Sequence, residues 1–190
     1  MMNKSIEIEL KFELKPGEIE GLKKDSRITI LKECYQRTVM FDNADKLMEH
    51  TDGRVRLRQH GDKITISYKR PLPSDGNHKK EIELETEVGD FEVMTNILKM
   101  MGYSPTTSYE KYITHLKFKD SYAEIEIQKY PFVTFLEIEG KKEEIEKVAK
   151  ELNLDTKKAL IKPVDTLFCE WREKKGLSFK PHMRFEDYDK

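Results

Sequence analysis

Glu7-Ile8-Glu9-Leu10-Lys11 is the stretch that decides the fold. Side chains alternate faces along a strand, so it places two carboxylates and an ammonium on one side and Ile8 and Leu10 on the other. Neighbours on one face lie about 7 Å apart, where two glutamates repel by about 2 kcal/mol at an effective dielectric near 20. Such a row is sustainable only where cations intervene, and the polar row is expected to face inward.

The pattern recurs along the chain. Glu81, Glu83 and Glu85 alternate with Ile82 and Leu84, Glu124 and Glu126 with Ile125 and Ile127, and Glu137 and Glu139 flank Ile138. Arg54, Arg56 and Arg58 alternate with Val55 and Leu57, and Lys69 closes the Thr65, Ser67, Lys69 face of the following strand. Taken singly, each ladder reads as the solvated face of an antiparallel sheet, where exposed pairs contribute little. Taken together they are segregated by sign, whereas a surface built for solubility intersperses charges. Opposed acidic and basic ladders point to metal ions and a polyanion.

The 190 residues suffice for one domain with a real core, and a formal net charge of -1 excludes a globally basic nucleic-acid binder. An anion site must therefore be local. The arginine strand also lacks the interleaved aromatics on which bases stack, so no nucleic-acid partner is expected. Apolar runs fall far short of a membrane span and the N-terminus has no secretory h-region, so a soluble, cytoplasmic protein is expected. Cys34 and Cys169 are far apart without a motif and read as an incidental reduced pair. The five histidines lack the spacing of a local zinc motif, although distant positions can converge in a fold, and no zinc centre is expected.

Pro16 and Gly17 stop the first strand, and a short helix is expected from Glu18 to Lys24. A strand from about Ile28 to Phe41 follows, then a short helix capped by Asn43 and running through Glu49. Asp52-Gly53 turns the chain into the arginine strand, and Gly61-Asp62 hairpins it into Lys63 to Lys69. Pro71 to His78 reads as a loop before the Glu81 strand. Asp90 caps a helix carrying Phe91, Met94, Leu98 and Met101, with Gly102 at its stop. Strands are expected at about Thr107 to Lys119, Tyr122 to Tyr130 and Phe132 to Glu139. An amphipathic helix follows over residues 142 to 152, and a last helix from Pro163 to Lys175.

These elements make one α+β domain over residues 1–176 with an irregular tail over 177–190. A face that needs water, metal and anion around it is supplied by an antiparallel barrel with a hydrated charged lumen, its apolar face packed outward against helices.

In order, Glu7-x-Glu9-x-Lys11, Arg56-x-Arg58, Lys69, Glu81-x-Glu83 and Phe135-Leu136-Glu137-Ile138-Glu139 resemble the CYTH superfamily, also called triphosphate tunnel metalloenzymes. The likeness runs from Ser5 to about Trp171. It implies an eight-stranded tunnel barrel and the activity of a class IV adenylyl cyclase, a thiamine triphosphatase or an inorganic tripolyphosphatase. It further implies that Glu7, Glu9, Glu126, Glu137 and Glu139 hold Mg²⁺ or Mn²⁺, hard cations that take oxygen ligands. Glu81 and Glu83, with Glu124 on a later strand, add to the acidic lining. Arg56, Arg58, Lys69 and Lys111 are implied to grip the triphosphate, with Lys11 holding or polarising the same chain. The family often places an arginine soon after the Lys111 position. Tyr112, Ile113 and Thr114 follow here, which leaves one phosphate contact open and Arg54 as its candidate replacement.

Phosphoryl transfer needs positioning and charge neutralisation more than a protein nucleophile. Water is the implied attacker in a hydrolase and the ribose 3′ hydroxyl in a cyclase. No adenine pocket is identifiable from the residues, which ranks a metal-dependent triphosphatase narrowly above a class IV cyclase. A non-catalytic polyphosphate or nucleotide binder ranks third, since it gains little from so many carboxylates. The expected partner is a triphosphate-bearing small molecule, and a homodimer is left open. The tail, with Phe179, Met183, Phe185 and Tyr188, is expected to dock loosely.

Overall fold

The computed structural model describes residues 5–73 and 79–188. Eight antiparallel strands close into a barrel: β1 (Ser5–Leu14), β2 (Ile28–Asn43), β3 (Arg54–His60), β4 (Lys63–Pro71), β5 (Lys79–Glu87), β6 (Tyr103–Phe118), β7 (Glu124–Lys129) and β8 (Thr134–Glu139). They run in the order β2-β3-β4-β5-β1-β8-β7-β6, and pairing of β2 with β6 completes the circle. β1 sits between β5 and β8, with Glu9 opposite Glu139 and Lys11 opposite Glu137. The β3–β4 hairpin turns at Gly61, whose φ of +58° favours a residue without Cβ.

The barrel is inverted, as expected. Leu10, Leu136 and Ile138 point outward and are fully buried against Ile145, Val148 and Ala149 of α4 (Lys142–Glu151). The spacing of those three residues puts them on one stripe of the helix. On the opposite wall α3 (Phe91–Met100) lays Phe91 and Leu98 on Phe41 and Leu57, and its N-cap Asp90 accepts a bond from Val93 N at 2.7 Å. α1 (Pro16–Lys24) and the single-turn α2 (Leu47–His50) fill the ends of β2, and α5 (Val164–Lys174) packs Phe168 beneath Tyr130 and Phe135. Among the described residues no helix is long and apolar enough to cross a membrane.

Three local expectations are corrected. The long strands run further than read: β2 reaches Asn43 and β6 starts at Tyr103, because a register shift at Met40/Phe41 accommodates Pro105 within the ladder. Asn43 does not open the next helix by itself. The Asp42 carboxylate accepts from Met48 N at 2.9 Å and Glu49 N at 3.1 Å, while Asn43 Oδ1 takes Leu47 N at 2.9 Å, so the helix is confined to one turn. The tail is docked, not loose. Its β9 (His182–Met183) pairs in parallel with Ser108 and Tyr109 of β6, on the part of that strand beyond its pairing with β7. Met183 is buried in a cluster with Phe168 and Tyr109, against which Tyr188 and Trp171 pack. Of the loop expected at Pro71 to His78, residues 74–78 lie outside the described residues.

Candidate functional site

Alternation along the strands turns both charged ladders into one cavity of about 280 Å³. Its walls carry Glu9 and Lys11 from β1, Arg54, Arg56 and Arg58 from β3, Lys69 from β4, and Glu81, Glu83 and Glu85 from β5. Lys111 of β6, Glu124 and Glu126 of β7, and Glu137 and Glu139 of β8 complete the circle. Pro163, Val164 and Asp165 at the start of α5 also line it. Fourteen positions were expected here, and thirteen of them line the cavity. Glu7 pairs with Glu81 in the ladder, and its side chain lies outside the described residues.

The acidic wall is built on Glu9, Glu137 and Glu139, each offering an oxygen within 4.8 Å of the others. Lys11 braces it, with Nζ 3.3 Å from Glu9 Oε1 and 3.0 Å from Glu137 Oε2. Burial alone would lower the pKa of Lys11, but Glu137 and Glu9 outweigh it and hold the ammonium charged. Three carboxylates of this spacing suit a hard cation.

Glu126 stands beside that trio with both oxygens engaged. Oε1 lies 3.1 Å from His115 Nδ1, and Oε2 accepts from Gln128 Nε2 at 2.7 Å. The same Gln128 nitrogen donates to Glu137 Oε1 at 2.9 Å and so bridges the two carboxylates. Burial opposes ionisation of Glu126, yet His115, Lys111 and Gln128 together bring its pKa down to about 2. Glu124 is exposed at the rim, opposite Glu139 in the ladder.

The basic wall is partly neutralised from within. Arg56 donates to Ser67 Oγ at 3.1 Å and pairs with Glu83 at 2.9 Å, Lys69 reaches the other Glu83 oxygen at 3.0 Å, and Arg54 pairs with Glu81. Glu81 and Glu83 are thus counterions to the arginine strand. Arg58 and Lys111 are different. Arg58 Nε is buried without a hydrogen-bond partner among the described residues, and burial followed by repulsion from Arg56 lowers its pKa. Lys111 is 6% exposed, with Nζ 5.6 Å over the Tyr130 ring. Desolvation brings its pKa down to about 8, against the pull of Glu137 and Glu126.

Tyr109 also faces this basic wall. Burial raises its phenol, but Arg56, Arg58 and Lys111 outweigh that and bring it down to about 8. Neither Tyr109 nor Asp165 was singled out from sequence. Tyr109 shares the parity of Lys111 on β6, which was the available signal. Asp165 is brought in by packing of α5, and nothing local marks it.

The family model described as CYTH domain matches residues 5–166 of the chain. The chain belongs to the CYTH family. A candidate adenylate cyclase of Methanocaldococcus jannaschii is 28% identical over 121 residues, 64% of this chain and 68% of that protein. Among solved structures, a candidate adenylate cyclase from Vibrio parahaemolyticus superposes with a TM-score of 0.71 at 13% identity, covering 87% of this chain and 98% of its own. A candidate adenylyl cyclase from Hippeastrum, described as having a dominant triphosphatase activity, gives 0.63 at 17% identity over 94% of this chain and all of its own. At these identities the structures establish the CYTH fold. The family binds triphosphate substrates and depends on metal, and in this member Glu9, Glu137 and Glu139 could hold the ion.

Proposed function

We propose that this CYTH protein is a divalent-metal-dependent hydrolase of triphosphate-containing substrates, namely tripolyphosphate, a nucleoside triphosphate or thiamine triphosphate. The observation that carries the reading is Arg58 and Lys111. Two cations are held desolvated without a described carboxylate in ion-pair contact, across a cavity from a tight acidic trio. Burying charge without compensation is costly, and a polyanion is the ligand that offsets it.

In this reading Arg58 offers its planar fork and Lys111 its point charge to phosphate oxygens. Arg56 and Lys69, held by Ser67 and Glu83, keep that wall positive and in place. Lys11 fixes the spacing of Glu9 and Glu137. Glu9, Glu137 and Glu139 are the candidate ligands of Mg²⁺ or Mn²⁺, with Glu7 and Glu126 as further ones. The ion would supply Lewis-acid polarisation and activation of water. Fixed charges of this kind lower the barrier without reorganising during reaction.

The triphosphatase description of the Hippeastrum protein supports hydrolysis, and the name of the Methanocaldococcus relative supports the alternative, cyclisation of ATP. The test is to incubate the protein with tripolyphosphate, thiamine triphosphate and ATP in Mg²⁺ or Mn²⁺ and separate the products. Metal-dependent release of orthophosphate is expected. Pyrophosphate with cyclic AMP would replace the reading by a cyclase, and tight binding without product in either metal by a binding module.

A further inference from the structure

The geometry points to a second, chemically distinct metal site in this protein, in which Cys34, His60 and His115 bind Zn²⁺ or a similar borderline-soft cation at the end of the lumen away from Arg54. Three strands bring these residues together. Cys34 shares the inward parity of Gln36 on β2, His60 that of Arg58 on β3, and His115 that of Lys111 on β6. One ligand atom from each lies within 4.8 Å of the others.

The dimensions fit the ion. Tetrahedral zinc with Zn–S near 2.3 Å and Zn–N near 2.1 Å places sulfur and nitrogen about 3.6 Å apart. Cys34 Sγ and His115 Nε2 are separated by 3.6 Å. The His60 and His115 rings lie parallel, 5.7 Å between centroids, so with His115 held as it stands, closing the site requires His60 to turn about its broad terminal torsion. A purely structural explanation leaves the cluster with weak bonds: the thiol lies 3.7 Å from the Ile113 carbonyl oxygen and meets His115 at the distance given.

The contact behind His115 points the same way. His115 Nδ1 faces Glu126 Oε1 at 3.1 Å, which calls for a proton on Nδ1 and leaves Nε2, in the neutral ring, as the nitrogen that faces Cys34 and is open to a metal. A carboxylate behind a histidine is the arrangement that orients metal-binding imidazoles and raises their basicity. Cysteine and histidine select against Mg²⁺, whereas the all-carboxylate trio of Glu9, Glu137 and Glu139 selects for it. The two sites therefore sort two kinds of cation within one barrel, and the new one does not depend on which triphosphate is used. Three protein ligands leave a fourth tetrahedral position for water.

The test is titration of the full-length, reduced protein with Co²⁺ in excess Mg²⁺. One equivalent is expected to give near-ultraviolet thiolate-to-cobalt absorption with d–d bands of tetrahedral intensity, both erased by Zn²⁺. Cys34→Ser should abolish the thiolate band and His60→Ala should weaken cobalt binding at least tenfold, with circular dichroism unchanged. Cys169→Ser should leave the spectrum intact, and Glu126→Gln should cost about tenfold in cobalt affinity, within the range for outer contacts of this kind. Absence of a thiolate band, its survival in Cys34→Ser, or loss of cobalt to millimolar Mg²⁺ would each overturn the site.

Discussion

Lys111 concentrates the conflict on which the lumen is built. Its ammonium is desolvated, its pKa falls to about 8, and no described carboxylate makes an ion pair with it. Between pH 8 and the ordinary lysine value the unfolded chain holds a proton that the folded chain has lost. Stability therefore rises with pH across that window, and below pH 8 the cost of the buried charge is fully present. Binding runs the other way, because only the charged form attracts phosphate. For the proposed hydrolase, kcat/KM should fall as pH rises through about 8, since that ratio reports the free enzyme. Lys111→Arg, which stays protonated, should weaken this limb, and what remains belongs to Tyr109, whose phenol also comes down to about 8 beside the same cations. Lys111→Met should lower kcat/KM about 10- to 100-fold, the worth of a hydrogen bond to a charged group, while leaving the melting temperature equal or higher. A wild-type profile flat to pH 10 would contradict the role. Glu137→Gln belongs to the same scale. Lys11 keeps Glu9 at 3.3 Å, so the fold should persist while metal-dependent turnover is lost, as activity and circular dichroism would report.

At the scale of elements, period two separates stability from chemistry by a single step along β1. Leu10 is fully buried against α4, and Lys11 faces the lumen. Leu10→Ala should cost about 2 to 5 kcal/mol in denaturant unfolding through the cavity it leaves, with KM of the folded fraction unchanged. This separation was legible in sequence because a strand needs no partner to reveal its two faces. The amphipathic stripe of α4 was legible for the same reason. The tail was not: His182 and Met183 form too short a strand to carry a pattern, and their place is set by the length of β6 that β7 leaves uncovered. Truncation after Gly176 removes Met183 and Tyr188 from the cluster around Phe168. Burial of one such side chain is worth about 2 to 3 kcal/mol, so the melting temperature should drop by about 5 to 10 °C for a chain of this size. An unchanged melting curve would return the tail to a loose appendage.

Across the whole molecule, the signs of the ladders were readable, but their pairing was not. Glu81 and Glu83 have the same strand spacing as Glu137 and Glu139, yet the first two neutralise Arg54, Arg56 and Lys69 while the second two face Glu9 and Lys11. Strand order decides this, and it is closed by the long β2–β6 pairing, which no local pattern announces. The Cys34, His60 and His115 cluster was hidden for the same reason. Closure also couples the two walls. Carboxylates within 4.8 Å of one another repel by about 3 kcal/mol per pair at an effective dielectric near 20, and the cations opposite repel in their turn. A divalent ion relieves the first and a polyphosphate the second, and each attracts the other across the bore. Binding of the two should therefore be cooperative, and linkage makes the factor the same in both directions. Calorimetric titration of a non-hydrolysable tripolyphosphate analogue should show at least tenfold tighter binding with Mg²⁺ present, after correction for the complex the two form in solution. Titration of Mg²⁺ with the analogue present should show the same gain. Glu139→Gln, which removes one wall of the ion site, should shrink the coupling toward unity while the metal-free affinity stays within a few-fold. Equal affinities with and without the ion would mean that the two walls do not share a ligand.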